Sequence, residues 1–136
     1  MAAFAFVDGY VAINGSDRSS TIRSVAVHVE AAGLDPTDMA SSGWMKVVAG
    51  LKSGNVQLGF VQDMAASAID SIMWPMFATV VTFEVRASNA AVGTSNPKYT
   101  GSFLVKEWTP LNGNVGDLAV VAVTFPTSGA VTRATS

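Results

Sequence analysis

Short runs of β-branched and aromatic residues recur along the whole chain, and clusters of Gly, Asn, Ser and Pro separate them. In the clearest run, Val25, Val27 and Val29 occupy every second position, with smaller or polar residues between them. A period of two is typical of a half-buried β-strand. The repetition of such runs predicts a chain that folds mainly into short antiparallel strands.

Other segments have the same strand-like composition: residues 4–13, 44–51, 56–61, 77–86, 98–108 and 118–125. Within the fourth of these, Val81, Phe83 and Val85 share one face. Lys52-Ser53-Gly54-Asn55 separates residues 44–51 from 56–61 and has the composition of a turn. We therefore expect a hairpin with its tip at residues 52–55.

One segment has a helical rather than a β period. Apolar residues recur at three- and four-residue spacing over residues 64–73, which predicts about three turns of amphipathic helix. Asp63 is a suitable N-cap, and Pro75 is expected to end the helix because it disfavours helical geometry in the residue before it. The predicted fold class is mainly β: an antiparallel β-sandwich or barrel with one flanking α-helix. At 136 residues, we expect one domain over 1–136.

The chain is unusually poor in charge for its size. Charged residues make up 13% of it, against about 25% in an ordinary soluble domain, and the mean hydropathy is +0.37. A small protein with so few charges either exposes apolar surface or covers it with partners. The composition favours an assembly subunit over a compact monomer, although a monomer rich in Ala and Val stays open at this point.

The charges that are present argue against several classes of function. The formal net charge is −2, and the basic residues are spread singly along the sequence: Arg18, Arg23, Lys46, Lys52, Arg86, Lys98, Lys106 and Arg133. Tight nucleic-acid binding and membrane association are therefore not expected. The chain has no cysteine and a single histidine, His28, so we expect no metal site, no cofactor and no enzymatic activity. The N-terminus lacks the features of a secretory signal.

Three tryptophans, Trp44, Trp74 and Trp108, allow two interpretations. They could form an exposed aromatic platform, which would make the chain a carbohydrate- or peptide-binding β-sandwich. More often such residues lie in a core or anchor an interface, and we favour this interpretation.

The order of these elements resembles the phage tail tube proteins (major tail proteins) of long-tailed bacteriophages. The resemblance covers nearly the whole chain. The residues that carry it are Gly43-Trp44-Met45-Lys46 and Gly50-Leu51 after a polar loop, Gln62-Asp63 ahead of the helix, Tyr99-Thr100-Gly101, Gly116-Asp117 and the ending Thr127-Ser128-Gly129-Ala130-Val131-Thr132.

The resemblance implies a structural virion protein whose subunits form hexameric rings, stacked into a tail tube around a lumen for DNA. It also implies a tape-measure protein and a tail terminator as partners, and location in the virion tail after assembly in the host cytoplasm. DNA is expected to pass without tight binding. The candidate subunit-interface residues are Trp44, Lys46, Lys52, Trp74, Trp108, Val131 and Thr132.

The C-terminal residues 126–136 have two possible roles. Pro126 separates them from the preceding strand, and Val131 and Thr132 have strand propensity. The segment is expected to be either an arm that adds to a neighbouring subunit or a closing strand of its own subunit.

Overall fold

The computed structural model describes residues 3–136, which form two antiparallel β-sheets packed face to face with one short helix beside them. The strands are β1 (Tyr10–Ile13), β2 (Ser16–Asp17), β3 (Ile22–Leu34), β4 (Val48–Val61), β5 (Val80–Arg86), β6 (Lys98–Leu104), β7 (Val120–Pro126) and β8 (Thr132–Ala134). The helix, α1, spans Ile69–Met76, between β4 and β5. The predicted fold class is confirmed.

The five-stranded sheet has the order β2-β1-β5-β6-β8, and the three-stranded sheet has the order β3-β4-β7. Each neighbouring pair is antiparallel. The strand β8, which belongs to the C-terminal segment, pairs with β6 of the same chain from Lys98↔Ala134 to Thr100↔Thr132.

The core lies between the two sheets and is built from the inward residues of alternating strands. Val81, Phe83 and Val85 are buried together, as their spacing predicts. Phe103 of β6 stacks on Phe83 with ring centroids 5.4 Å apart and contacts Phe125 of β7 at 4.9 Å, so it joins the two sheets. No helix within residues 3–136 is long and apolar enough to cross a membrane.

The predicted hairpin tip at residues 52–55 is wrong. These residues lie within β4, and each pairs with a residue of β3, from Ala31↔Lys52 to His28↔Asn55. Gly54 is needed here for close packing and not for a turn, because a Cβ on it would lie 2.6 Å from the His28 carbonyl oxygen. The real hairpin joins β3 to β4 through residues 35–47.

The predicted helix bounds are also wrong. Ser67 has a φ of +64°, which prevents a continuous helix from residue 64, and the helix begins only at Ile69. Asp63 instead accepts the Ala65 N–H at 2.9 Å in the preceding turn. Pro75 does not end the helix before it but lies inside the last helical turn, where its missing N–H removes one helical hydrogen bond, and the helix ends one residue later.

Several predicted strands are longer than the observed ones. Residues 4–9, 77–79 and 105–108 lie outside the strands because ladder pairing begins at Tyr10 and Val80 and ends at Leu104. Residues 44–47 belong to the loop before β4, since the Lys46 N–H bonds to the Thr37 hydroxyl at 2.9 Å.

Candidate assembly surfaces

The hairpin formed by β3 and β4 extends past the rest of its sheet. The third strand, β7, pairs with β4 residues from Asn55 to Val61, so among the described residues the part of β4 before Gly54 has β3 as its only partner strand. We call residues 31–52 the distal hairpin. Its large apolar side chains are exposed: Leu34, Met39, Trp44, Met45, Val47, Val48 and Leu51. A cluster of exposed apolar residues of this size on one element is typical of an interaction surface.

Local hydrogen bonds give the loop of the distal hairpin a defined shape. Asp35 accepts the Thr37 N–H at 2.9 Å, and the hydrogen bonds from Thr37 lower the pKa of the Asp35 carboxyl from its ordinary value of 3.8. Asp38 and Ser41 form a reciprocal capping box around a short 3-10 turn. Lys46 approaches Asp38 at 3.6 Å. The loop is therefore ordered although it is exposed.

The end of this loop presents its aromatic residue outward. Ser42 and Gly43 have φ values of +53° and +82°, so the backbone reverses through two left-handed residues. The Trp44 N–H closes the turn on the Ser41 carbonyl at 3.0 Å. Trp44 follows with 76% of its surface exposed.

The outer edge of β3 has no partner strand among the described residues. Gln62 and Gly54 of β4 and its flank bond to the β7 side, and backbone groups alternate in direction along a strand, so the even-numbered residues of β4 bond to β7. The odd-numbered residues between them, such as Asn55 and Gln57, therefore direct their amides to β3. The registered partners of those residues are Ala26 and His28. By the same alternation, the amides at residues 25, 27 and 29 point to the open edge. A long open edge is a site for strand pairing with another chain.

Two adjoining grooves lie between this edge of β3 and the C-terminal segment. The larger, of about 440 Å³, includes Val29, Lys52 and Val131 in its walls, and the smaller, of about 340 Å³, adds Tyr99 and Arg133. Two predicted interface residues from distant parts of the sequence, Lys52 and Val131, thus meet in one groove. Thr132 is exposed beside it in β8.

The remaining predicted interface residues lie apart from one another. Trp44 and Lys46 are on the distal hairpin, whereas Trp74 is on α1, where it is exposed and stacks on Phe77 at 6.3 Å. Trp108 is buried in the core. The three tryptophans therefore do not form one exposed platform, which removes the basis of the alternative as a carbohydrate- or peptide-binding module.

The outer face of the three-stranded sheet is small, polar and nearly uncharged. Cross-strand partners share this face in rows: Ser24, Gly59 and Ala122; then Ala26, Gln57 and Thr124; then His28, Asn55 and Pro126. Glu30 continues it next to His28, with a 4.0 Å contact between their side chains, and Arg23 lies over Gly59 at the other end.

Sequence reasoning missed most of the distal hairpin surface. Met39, Met45 and Leu51 are as exposed as Trp44, and Phe4 and Phe6 add exposed aromatic surface near the N-terminus. The available signal was the presence of large apolar residues in and around a loop that was otherwise polar.

Among the residues that the structure describes, no cluster of ionisable groups resembles a catalytic or metal centre. His28 is exposed, and within the described part of the chain only Glu30 approaches it as an ion-pair partner. Within residues 3–136, no group of three or more His, Asp or Glu side chains could hold a metal ion.

Comparison with solved structures finds a similar fold in chains of gene transfer agent particles. The chain aligns with a chain of the virion of a native gene transfer agent particle at a TM-score of 0.73 and 17% identity, covering 96% of this chain and 98% of the other. It also aligns with a chain of the tail of an empty gene transfer agent particle, refined with C6 symmetry, at a TM-score of 0.63 and 18% identity, covering 82% and 81%. No protein-family profile and no curated protein sequence matches the chain. The resemblance to tail tube proteins is thus confirmed at the level of the fold.

Proposed function

We propose that this protein is the subunit of a tail tube, in which hexameric rings stack around a lumen for DNA. The observation that carries the proposal is the distal hairpin, an ordered element that leaves the sandwich and exposes seven large apolar side chains. The shared fold with a tail that has C6 symmetry supports six subunits per ring.

Within a ring, the open edge of β3 pairs with the β7 edge of the next subunit. Both are the outer strands of the three-stranded sheet, so this pairing continues one sheet around the ring. Closing a sheet on itself removes its edges, which would otherwise promote uncontrolled aggregation.

Between rings, the distal hairpin reaches into the next ring and buries its apolar side chains there. Trp44 and Met45 near its end and Leu51 at its base are the main contacts, because these three and Met39 are the most exposed of its large apolar side chains. A stable contact buries at least about 1,000 Å² in total, which requires a cluster of large exposed side chains rather than an isolated hydrophobic residue. Burial in the neighbouring ring also accounts for the low charge of the chain.

The outer face of the three-stranded sheet lines the lumen in this arrangement. Its central rows consist of Ala, Gly, Ser, Thr, Asn, Gln, Pro and His, and Glu30 adds a negative charge. Such a surface offers few cations to phosphates, so DNA passes through without being held. A tape-measure protein inside the growing tube, a tail terminator at its end, assembly in the host cytoplasm and final location in the virion belong to the same proposal.

The candidate interface residues divide between these contacts. Trp44 and Lys46 belong to the stacking contact through the distal hairpin. Lys52, Val131 and Thr132 line or flank the grooves beside the β3 edge, where the C-terminal segment contributes to the contact within a ring. Trp74 on α1 faces outward and is available to a neighbour.

A matched pair of leucine variants tests the proposal. Leu51→Ala on the distal hairpin and Leu111→Ala in the loop before β7 remove the same side chain from equally exposed sites. Light scattering should show strongly reduced polymerisation for Leu51→Ala at unchanged melting temperature, whereas Leu111→Ala should assemble normally. Equal assembly by both variants and the wild type would contradict the role of the hairpin.

A further inference from the structure

The free edge of β7 is blocked in the single subunit by a side chain of its own chain. The Thr124 backbone N–H donates to a carboxylate oxygen of Glu107 at 3.0 Å. Glu107 follows β6 and is remote from Thr124 in the sequence, so this contact depends on the tertiary fold. No other hydrogen bond of the Glu107 side chain occurs within residues 3–136.

The position of Thr124 in β7 makes this bond a cap on the pairing edge. Gln62 donates to the Ala119 carbonyl, and Thr127 donates to the Gly54 carbonyl, so residues of odd number in and around β7 bond to β4. Residues 120, 122 and 124 therefore direct their backbone groups to the open edge, whereas the end of β7 lies beside β6 through the bridge between Thr127 and Phe103. Glu107 occupies the N–H of Thr124. Among the described residues, Val120 and Ala122 keep free donors on the open part of this edge.

The backbone on both sides of Glu107 is anchored in the core. Val105 is fully buried and exchanges backbone hydrogen bonds with Ala78 and Thr79 at 2.7 and 2.9 Å. Trp108 is buried and donates its indole N–H to Asp70 at 3.0 Å. The side chain of Glu107 itself is exposed, so it can leave the edge by changing rotamer without moving these anchors.

We infer that Glu107 is a displaceable cap that keeps the β7 edge of a free subunit from pairing until the β3 edge of a second copy replaces it. Carboxylates and prolines are the devices by which natural sheets protect exposed edges. A proline cannot be removed from the edge, but a carboxylate on a mobile side chain can. In the ring, a carbonyl of the incoming strand accepts the Thr124 N–H, and the Glu107 carboxylate returns to water. This inference rests on the proposed function, because the second copy is the neighbouring subunit of the ring.

Three variants test the cap. Glu107→Ala removes the acceptor, Glu107→Gln retains an acceptor oxygen without the charge, and Asp117→Asn is a control that removes one exposed carboxylate whose side chain makes no hydrogen bond among the described residues. Amide hydrogen exchange of Thr124 is followed by NMR in unassembled protein. The time before light scattering rises is measured above the assembly threshold.

We expect Glu107→Ala to accelerate exchange of the Thr124 amide by about tenfold or more, since a hydrogen bond to a charged group is lost. The lag before assembly should shorten by a similar factor. For Glu107→Gln, both the exchange rate and the lag should lie between those of Glu107→Ala and the wild type, and for Asp117→Asn both should equal the wild-type values. Unchanged exchange in Glu107→Ala would show that the cap does not exist. Faster exchange with an unchanged lag would show that the bond exists but does not control assembly. A wild-type protein that never assembles would contradict the proposed function and remove the role of the cap, whereas the exchange measurement would still report the bond.

Discussion

Trp108 donates its indole N–H to the Asp70 carboxylate at 3.0 Å, and its ring packs edge-on against Phe60 with centroids 5.5 Å apart. One side chain thereby ties the segment after β6 to α1 and to the C-terminal end of β4. The helix has few other means of attachment, since only Ile69 and Met73 of its residues are fully buried.

We expect Trp108→Phe to lower the free energy of unfolding by about 1 kcal/mol or more, because the hydrogen bond and part of the packing are lost. Trp108→Ala should cost about 3–5 kcal/mol by leaving a cavity. Urea denaturation measures both, with the exposed Trp74→Ala as a control that costs no more than about 1 kcal/mol. Equal losses for Trp74 and Trp108 would contradict the core assignment.

The sequence predicts the strands that bury one face against the core. It does not predict the elements whose bounds depend on tertiary pairing or on a left-handed residue. The alternation of Val81, Phe83 and Val85 is sufficient, because a period of two has no other common explanation. The turn composition of residues 52–55 is misleading, because the β3–β4 ladder outweighs local preference and uses Gly54 for close packing. The helix start depends on the left-handed Ser67, which no pattern in the sequence signals.

The sequence likewise predicts part of the candidate assembly surfaces and misses those that depend on tertiary contacts. The low charge predicts that surface must be covered, and Trp44 indicates one place where we propose that a partner covers it. Lys52 and Val131 line the same groove, and Glu107 accepts the Thr124 N–H. Both features depend on contacts between residues far apart in the chain. Such contacts leave no local pattern.

The turn that Asp35 and Thr37 form in the loop of the distal hairpin should weaken in acid. The pKa of Asp35 is lowered in the folded state by the hydrogen bonds from Thr37, so its contribution to loop order is present above pH 3.8 and is lost as the pH falls through the lowered pKa. Protection of the Thr37 amide from hydrogen exchange, followed by NMR from pH 6 to pH 2, should decrease below pH 3.8. The variant Asp35→Ala should show no such decrease. A transition that persists in the variant would assign it to another group.

Removal of residues 128–136 should separate folding from assembly. The truncation removes β8 and Val131, which packs against the edge of the core, but leaves every fully buried side chain in place. We expect native-like circular dichroism, a melting temperature lower by a few degrees, and a sharp loss of polymerisation. An unfolded truncation would show that the segment is needed to close its own subunit, and normal assembly by a folded truncation would show that it is dispensable.

DNA binding should depend on which face of the sandwich carries cations. The wild type should bind duplex DNA no more tightly than about 1 µM at physiological salt. The double substitution Ala26→Lys and Gln57→Lys places two cations on the outer face of the three-stranded sheet. It should increase the binding of closed circular DNA by free subunits. Assembled tubes of the same variant should not bind it more tightly, because a closed circle cannot enter the lumen. Lysines at Thr82 and Ser102, on the outer face of the five-stranded sheet, should increase this binding in both forms. Retention of circular DNA by tubes of the first variant would place that face on the outside.

The central claim is the arrangement of subunits in the tube, and cryo-electron microscopy of filaments formed by the full chain tests it most directly. The account predicts hollow filaments of stacked six-membered rings, with the three-stranded sheet facing the lumen and the distal hairpin, including Trp44 and Leu51, buried in the adjacent ring. A protein that stays monomeric at every concentration and with its partner proteins present, or a tube whose lumen is lined by the five-stranded sheet, would contradict it.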